Sequence, residues 1–152
     1  MGERYVGRKR SYGSLTADID EIIKNVDARM IALIKASIQD VVFNMQTPVG
    51  KGGRMRVDTG FLRNSGRAQI GSMPTGETDR PNDALPGSFT WDEGTLTSVL
   101  TKLKLGDTFY WGWTANYARY RELYDGFMEA ALQHWSRIVA FNADTLIRNL
   151  KK

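Results

Sequence analysis

The strongest constraint on this chain is a single periodic run of apolar residues between Thr16 and Gln46. Ile19, Ile22, Ile23, Val26, Met30, Leu33, Ile34, Val41 and Met45 recur mostly at spacings of three and four, which places them on one face of an α-helix. Ser14 or Thr16 can cap its start, and Asp18, Asp20 and Glu21 suit the positive end of the helix dipole. Pro48 stops it soon after Gln46. Such a helix is about 45 Å long. That is long for the one compact domain that 152 residues can build. Ile31, Ile38 and Val42 lie off the main stripe, so a second face packs as well. In a small protein, a helix that is apolar on two sides often touches a neighbouring subunit.

A second amphipathic helix is predicted from about Asp125 to Leu150, where Phe127, Met128, Ala131, Leu132, Trp135, Ile138, Val139, Leu146 and Leu150 keep the same period. Asp125 suits its N-cap, and Arg148, Lys151 and Lys152 suit its negative end. Between the helices, residues 96–103 and 107–114 are rich in β-branched and aromatic residues around a Lys104–Asp107 turn, and they read as a β-hairpin. A third strand is predicted over Asn64–Ile70. Residues 71–95 hold three of the four prolines and read as a long interaction loop. The fold class is therefore α+β: a long N-terminal helix and a C-terminal amphipathic helix packed on a small antiparallel β-sheet, with long loops. The organisation is a basic N-terminal arm over 1–15, then one domain over 16–152.

Net charge is +4, and its distribution says more than its total. Arg4, Arg8, Lys9 and Arg10 make the amino terminus basic, and Lys51, Arg54, Arg56, Arg63 and Arg67 make a second basic block over 47–67. The stretch 68–94 reverses sign through Glu77, Asp79, Asp83, Asp92 and Glu93. Opposite-signed blocks of this kind suit complementarity between subunits.

Several function classes lack their residues. The chain has no cysteine, which removes disulfides, thiolate zinc sites and a thiol nucleophile together. His134 is the only histidine, so no two-histidine metal site exists, and it reads as an ordinary surface residue in mid-helix. The glycine-rich, basic stretch Gly50–Arg54 lacks the Gly-Lys-Ser/Thr ending of a phosphate loop and reads as a flexible loop. No Gly-x-Ser-x-Gly elbow is present, and the paired carboxylates stand without a polar cluster. No catalytic, cofactor-binding or metal residues are assigned, and the chain is read as non-enzymatic. No apolar run nears the roughly 20 residues of a bilayer crossing, and no signal segment follows the charged start, so synthesis and residence in a cytoplasm without membrane contact are expected.

Two motifs remain. The first runs Thr47-Pro48, then Val57-Asp58-Thr59-Gly60-Phe61-Leu62-Arg63-Asn64-Ser65. Asp58 and Thr59 can bond backbone N–H groups just ahead, Gly60 permits a positive φ, Leu62 anchors the exit into the core, and Arg63 is free to reach outward. The second is Asn116-Tyr117-Ala118-Arg119-Tyr120, a short helical turn whose tyrosines pack on the sheet while Arg119 and Arg121 face outward.

In this order the pieces resemble the tail-completion or neck protein family of long-tailed, siphovirus-like bacteriophages, also called minor tail or tail-component proteins. Its members show a long first helix, a Thr-Pro-Val-Asp-Thr-Gly-x-Leu-Arg-x-Ser passage, a small sheet, a Tyr-Ala-x-Tyr passage and an amphipathic final helix. The resemblance spans about residues 16–150. It departs from the family pattern at Gly50–Arg56, which separates Thr47-Pro48-Val49 from Val57-Asp58, and after Tyr120, where Arg121-Glu122-Leu123-Tyr124 replaces a Glu-x-Gly-Thr passage.

The resemblance implies a virion protein at the head-proximal end of the tail, a homo-oligomeric ring of six subunits joining tail to head around the DNA channel. Its implied partners are copies of itself, tail-terminator and tail-tube proteins, and the adaptor and stopper proteins that complete the head, with genomic DNA close by. Asp58, Thr59, Gly60, Leu62, Arg63, Ser65, Tyr117, Ala118, Arg119 and Tyr120 are the implied assembly residues, and Lys51, Arg54, Arg56 and Arg67 are candidates for facing DNA or a second ring. A tail-terminator or head-closure role in the same neck is a close alternative. A small basic nucleic-acid-binding protein is the alternative from another class, supported by a sequence pI of 9.4.

Overall fold

The computed structural model describes residues 12–152. Arg4, Arg8, Lys9 and Arg10 of the expected basic arm lie outside the described residues, and from Tyr12 onward the chain is already helical.

Helix α1 runs Tyr12–Gln46. Ser14 and Thr16 lie inside it, so neither caps its start. The apolar stripe divides along the rod. In the C-terminal half, Ile38, Val41, Val42 and Met45 are buried, with Ile31 and Ile34 packed against them. Ile38 and Val42, which the spacing sets off the main stripe, are thus central to the core. In the N-terminal half, Ile19, Ile22, Ile23, Val26 and Met30 are 46% to 62% exposed. The reason is a mismatch of lengths. The final helix, α6 (Trp135–Leu150), has 16 residues against the 35 of α1. It returns antiparallel along the C-terminal half only, where Asn142 Nδ2 donates to Asp40 Oδ2 at 2.8 Å and Ile138 packs on the core.

The sheet has two antiparallel strands, β1 (Gly66–Ile70) and β2 (Phe109–Trp113), with Gly66 opposite Trp113 and Ile70 opposite Phe109. The strand expected after Leu62 is present. The expected hairpin is not: residues 94–102 form a helix, α3 (Gly94–Lys102), and the partner of β2 is β1. Leu96, Leu100 and Leu103 recur at helical spacing and are buried, and this burial outweighs the β-branched composition. The threonines that argued for a strand are accommodated by bonding back along the helix, Thr97 Oγ1 to the Glu93 carbonyl and Thr101 Oγ1 to the Thr97 carbonyl. Asp92 stands ahead of the first turn, its Oδ1 accepting the Gly94 N–H at 2.8 Å.

The single C-terminal helix expected from Asp125 is two, α5 (Phe127–Gln133) and α6, and the short helical turn expected at Tyr117–Tyr120 is a separate helix ahead of them, α4 (Ala118–Asp125). Gly126 takes a left-handed φ of 62° and ends α4, and His134 at φ −90°, ψ 0° separates α5 from α6. Asp125 is therefore the last residue of α4 and not a cap. The cap belongs to Glu122, whose carboxylate accepts the Met128 and Glu129 N–H groups at 2.9 Å each.

The core has two centres. The larger joins α1, α3, α5 and the sheet. The smaller, Met55, Leu62, Ala115 and Phe127, lies near the C-terminal end of α1 and includes the edge of Trp113. Edge-to-face contacts link Trp91, Trp111, Trp113 and Phe127, with centroids 6.3, 5.9 and 4.9 Å apart. Among the described residues, no helix is long and apolar enough to cross a membrane.

Candidate functional site

The two motifs, about fifty residues apart in sequence, meet at one cleft of about 1080 Å³. One wall is the passage Arg56–Arg63, the other is Asn116, Tyr117 and Arg121, and Asp79–Asn82 of the long loop closes it.

The Asp-Thr-Gly turn is built from its own residues. The buried Thr59 accepts the Phe61 N–H on its Oγ1 at 3.2 Å, and Gly60 at φ 85° leads into the short helix α2 (Phe61–Asn64). A Cβ on Gly60 would stand 2.0 Å from the Phe89 carbonyl oxygen, because the long loop crosses directly over the turn. Phe89 N–H donates to the Thr59 carbonyl at 2.8 Å and Gly87 N–H to the Asp58 carbonyl at 2.9 Å. The loop over 71–95 is thus irregular, as expected, but pinned. Further along it, Thr78 bridges to Thr114 and Ala115, and Asn116 Nδ2 donates to Asp79 Oδ1 at 2.6 Å.

Leu62 and Ser65 are buried, and Ser65 Oγ donates to the Leu62 carbonyl. Arg63 does not reach outward. Its Nε donates to the Gln46 carbonyl at 2.7 Å, and its guanidinium lies 5.3 Å from the centre of the Trp91 ring. The unsatisfied carbonyl at the end of α1 and the electron-rich indole draw it inward, and burial pushes its pKa below the ordinary arginine value.

The second motif splits by side. Tyr117 is half-buried, its ring 6.3 Å from that of Phe61, and Ala118 packs on the smaller core centre. Burial, the dominant influence, raises the Tyr117 pKa, against the lowering effects of Arg80, the Leu62 backbone hydrogen bond and Arg121. Arg121 also turns inward, correcting the expectation, to make hydrogen bonds of 2.6 to 3.1 Å to Asp125. Arg119 and Tyr120 face solvent, so Tyr120 does not pack on the sheet with Tyr117.

Of the basic candidates, Lys51, Arg54 and Arg56 share one loop. That loop is closed by its own contacts: Pro48 and Met55 bridge, Val49 N–H donates to the Met55 carbonyl, and the fully buried Met55 anchors it. Arg67 is not with them. It stands on β1 and donates to its own neighbours, the Asn64 and Gly66 carbonyls.

The cleft's charged groups are paired, Arg80 standing 3.8 Å from Asp58 within it and Arg56 3.6 Å from the buried Asp125 side chain behind it. Its described lining contains no serine, cysteine or histidine. No cluster of three or more metal-ligating side chains occurs among the described residues. The ion pairs and the backbone bonds of the crossing loop hold these polypeptide elements in register.

Sequence reasoning missed three contributors. Gln46 is fully buried, and its place four residues beyond Val42 on the buried face was a readable signal. Asp125 was read as a cap, and nothing in the sequence marks Phe89 as the point where the long loop crosses the turn. Comparison with protein-family models, curated proteins and solved structures finds no match to this chain.

Proposed function

We propose that this protein is a structural subunit of a long-tailed bacteriophage particle, seated where the tail meets the head. It works by binding copies of itself in a ring, six in the family it resembles, and by binding the tail-terminator, tail-tube and head-completion proteins on either side. The observation that carries the reading is the bare apolar half of α1: Ile19, Ile22, Ile23, Val26 and Met30 form one exposed ridge. A contiguous ridge of this kind marks a binding surface. The two motifs support it differently, as the clamp that fixes the far end of the same helix.

The nucleic-acid-binding alternative is weakened by where the arginines point. Arg63, Arg67 and Arg121 are engaged by the protein's own carbonyls and by Asp125, and Arg56 also pairs with Asp125, which leaves Lys51 and Arg54 as the other grouped cations of the 47–67 block. These suit a wall beside DNA in a channel better than a binding groove.

The test is immunogold electron microscopy of purified particles, together with deletion of the gene. Label at the head–tail junction, and unjoined heads and tails on deletion, are expected. Joined, infectious particles without the protein would overturn the reading.

A further inference from the structure

The ends of the β1–β2 ladder fix which backbone groups of β2 point where. Gly71 N–H donates to the Thr108 carbonyl at 2.9 Å at one end, and Thr114 N–H donates to the Ser65 carbonyl at 3.1 Å at the other. Bonding residues alternate along an antiparallel strand, so Tyr110 and Gly112 turn their N–H and C=O groups to β1. Phe109, Trp111 and Trp113 turn theirs to the far side. Among the described residues, nothing hydrogen-bonds to those three N–H and three C=O groups. Main-chain groups in a row of this kind are paired in nearly every finished structure.

The opposite edge of the sheet is guarded. Gly66, Ala68 and Ile70 face outward there, α3 packs against β1, and Arg67 Nη1 donates to the Gly66 carbonyl at 2.9 Å, which sets a cation on the edge. β2 has no such guard: Phe109–Trp113 holds no charge, no proline and no bulge. A strand of aromatic residues with a bare row of alternating donors and acceptors is a template for another extended chain.

The strand also matches itself. Set antiparallel about a twofold axis through Trp111, two copies of β2 place Trp111 opposite Trp111, and Phe109 opposite Trp113 of the second copy. Every outward N–H and C=O of both strands then has a partner, and aromatic side chains meet across the join. A slip of one residue would set outward groups against inward ones and lose the ladder. β1, the other strand among the described residues, offers no equally open edge.

We infer that β2 pairs edge to edge with β2 of a second copy, making one continuous four-stranded antiparallel sheet in the order β1–β2–β2–β1. The contact goes beyond the neck reading and stands without it. It closes at two copies, so a ring that contains it alternates it with a second contact.

The test follows the full-length chain by sedimentation velocity across concentration and, on the same samples, by residue-resolved amide hydrogen exchange. A concentration-dependent dimer is expected. The Tyr110 and Gly112 amides are protected at every concentration, because β1 holds them. The Phe109, Trp111 and Trp113 amides are protected in the dimer and exchange about tenfold faster or more in the dilute monomer. Phe109→Pro removes one outward N–H, leaves every bond to β1 in place and falls at the first strand position, which suits proline. Two bonds lost per pair weaken dimerisation about tenfold or more. Phe109→Leu also loses the ring but keeps the N–H, and dimerises more tightly than Phe109→Pro. Circular dichroism confirms that both fold; should Phe109→Pro not, the alternating exchange pattern decides alone. A parent that is monomeric at every concentration overturns the inference and leaves the edge to a strand of another protein. Outward amides that exchange alike in monomer and dimer overturn it too, as does equal dimerisation of the two variants.

Discussion

Gln46 and Arg63 exchange hydrogen bonds: Gln46 Nε2 donates to the Arg63 carbonyl and Arg63 Nε to the Gln46 carbonyl, each at 2.7 Å. Trp113 Nε1 completes the arrangement by donating to Gln46 Oε1 at 2.8 Å. One buried amide therefore joins the end of α1, the Asp-Thr-Gly passage and β2.

Replacing that amide tests the joint. Gln46→Ala leaves the Trp113 N–H and the Arg63 carbonyl without their partner, and a loss of about 2–4 kcal/mol is expected. Urea unfolding measures it. A double-mutant cycle with Arg63→Ala should show coupling of about 1 kcal/mol or more, because each side chain holds the main-chain carbonyl of the other residue and the two bonds fix the same pair of segments.

Gly60 and Gly71 make a matched pair, with φ of 85° and 90°. Gly71 has open space around it, whereas Gly60 faces the Phe89 carbonyl. Gly71→Ala should cost about 1 kcal/mol from backbone conformation alone. Gly60→Ala adds a backbone clash and should lower the thermal midpoint well beyond the Gly71 variant. Equal midpoints would show that the crossing loop is not held against the turn.

The Tyr117 hydroxyl has its pKa raised in the folded protein above the ordinary 10.0, through burial first. The folded state then holds this proton more tightly than the unfolded state. Its contribution to stability is complete below pH 10 and is lost as pH climbs through the higher folded value. Denaturant midpoints measured from pH 8 to pH 11 should therefore fall less steeply for Tyr117→Phe than for the parent at the alkaline end.

Tyr117 and Tyr120 should separate folding from assembly. Tyr117→Ala removes a ring packed on Phe61 and should destabilise the monomer by about 2–4 kcal/mol. Tyr120→Ala touches a side chain in solvent and should leave the melting curve within about 0.5 kcal/mol of the parent. In particles, both should yield unjoined heads and tails, Tyr117→Ala with low protein levels and Tyr120→Ala with normal ones, as quantitative blotting would show.

How much of this was readable from the sequence depends on the range of the determining contact. α1 was legible because its period is local, and β1 because Ala68 and Ile70 alternate with Arg67 and Gln69. Residues 96–103 were misassigned because their threonines and valine favour a strand, while Leu96, Leu100 and Leu103 obey the three-dimensional demand for one buried face. The break at His134 sits within an unbroken apolar period, which conceals it, whereas Gly126 lies ahead of that period, which starts at Phe127. At the site, the turn at Gly60 followed from its residues alone. The inward course of Arg63 did not, because its acceptor is 17 positions earlier and is exposed only once α1 has ended. The bare half of α1 was hidden for a similar reason, since it depends on where a helix more than a hundred residues later stops.

From Ser14 to Gln46 the first helix contains neither glycine nor proline, so nothing along its length invites a hinge. A load applied at Ile19 acts on a stiff lever whose fulcrum is the Gln46–Arg63–Trp113 lock, about 40 Å away. Any tilt imposed on the tip is thereby delivered to the cleft between the two motifs.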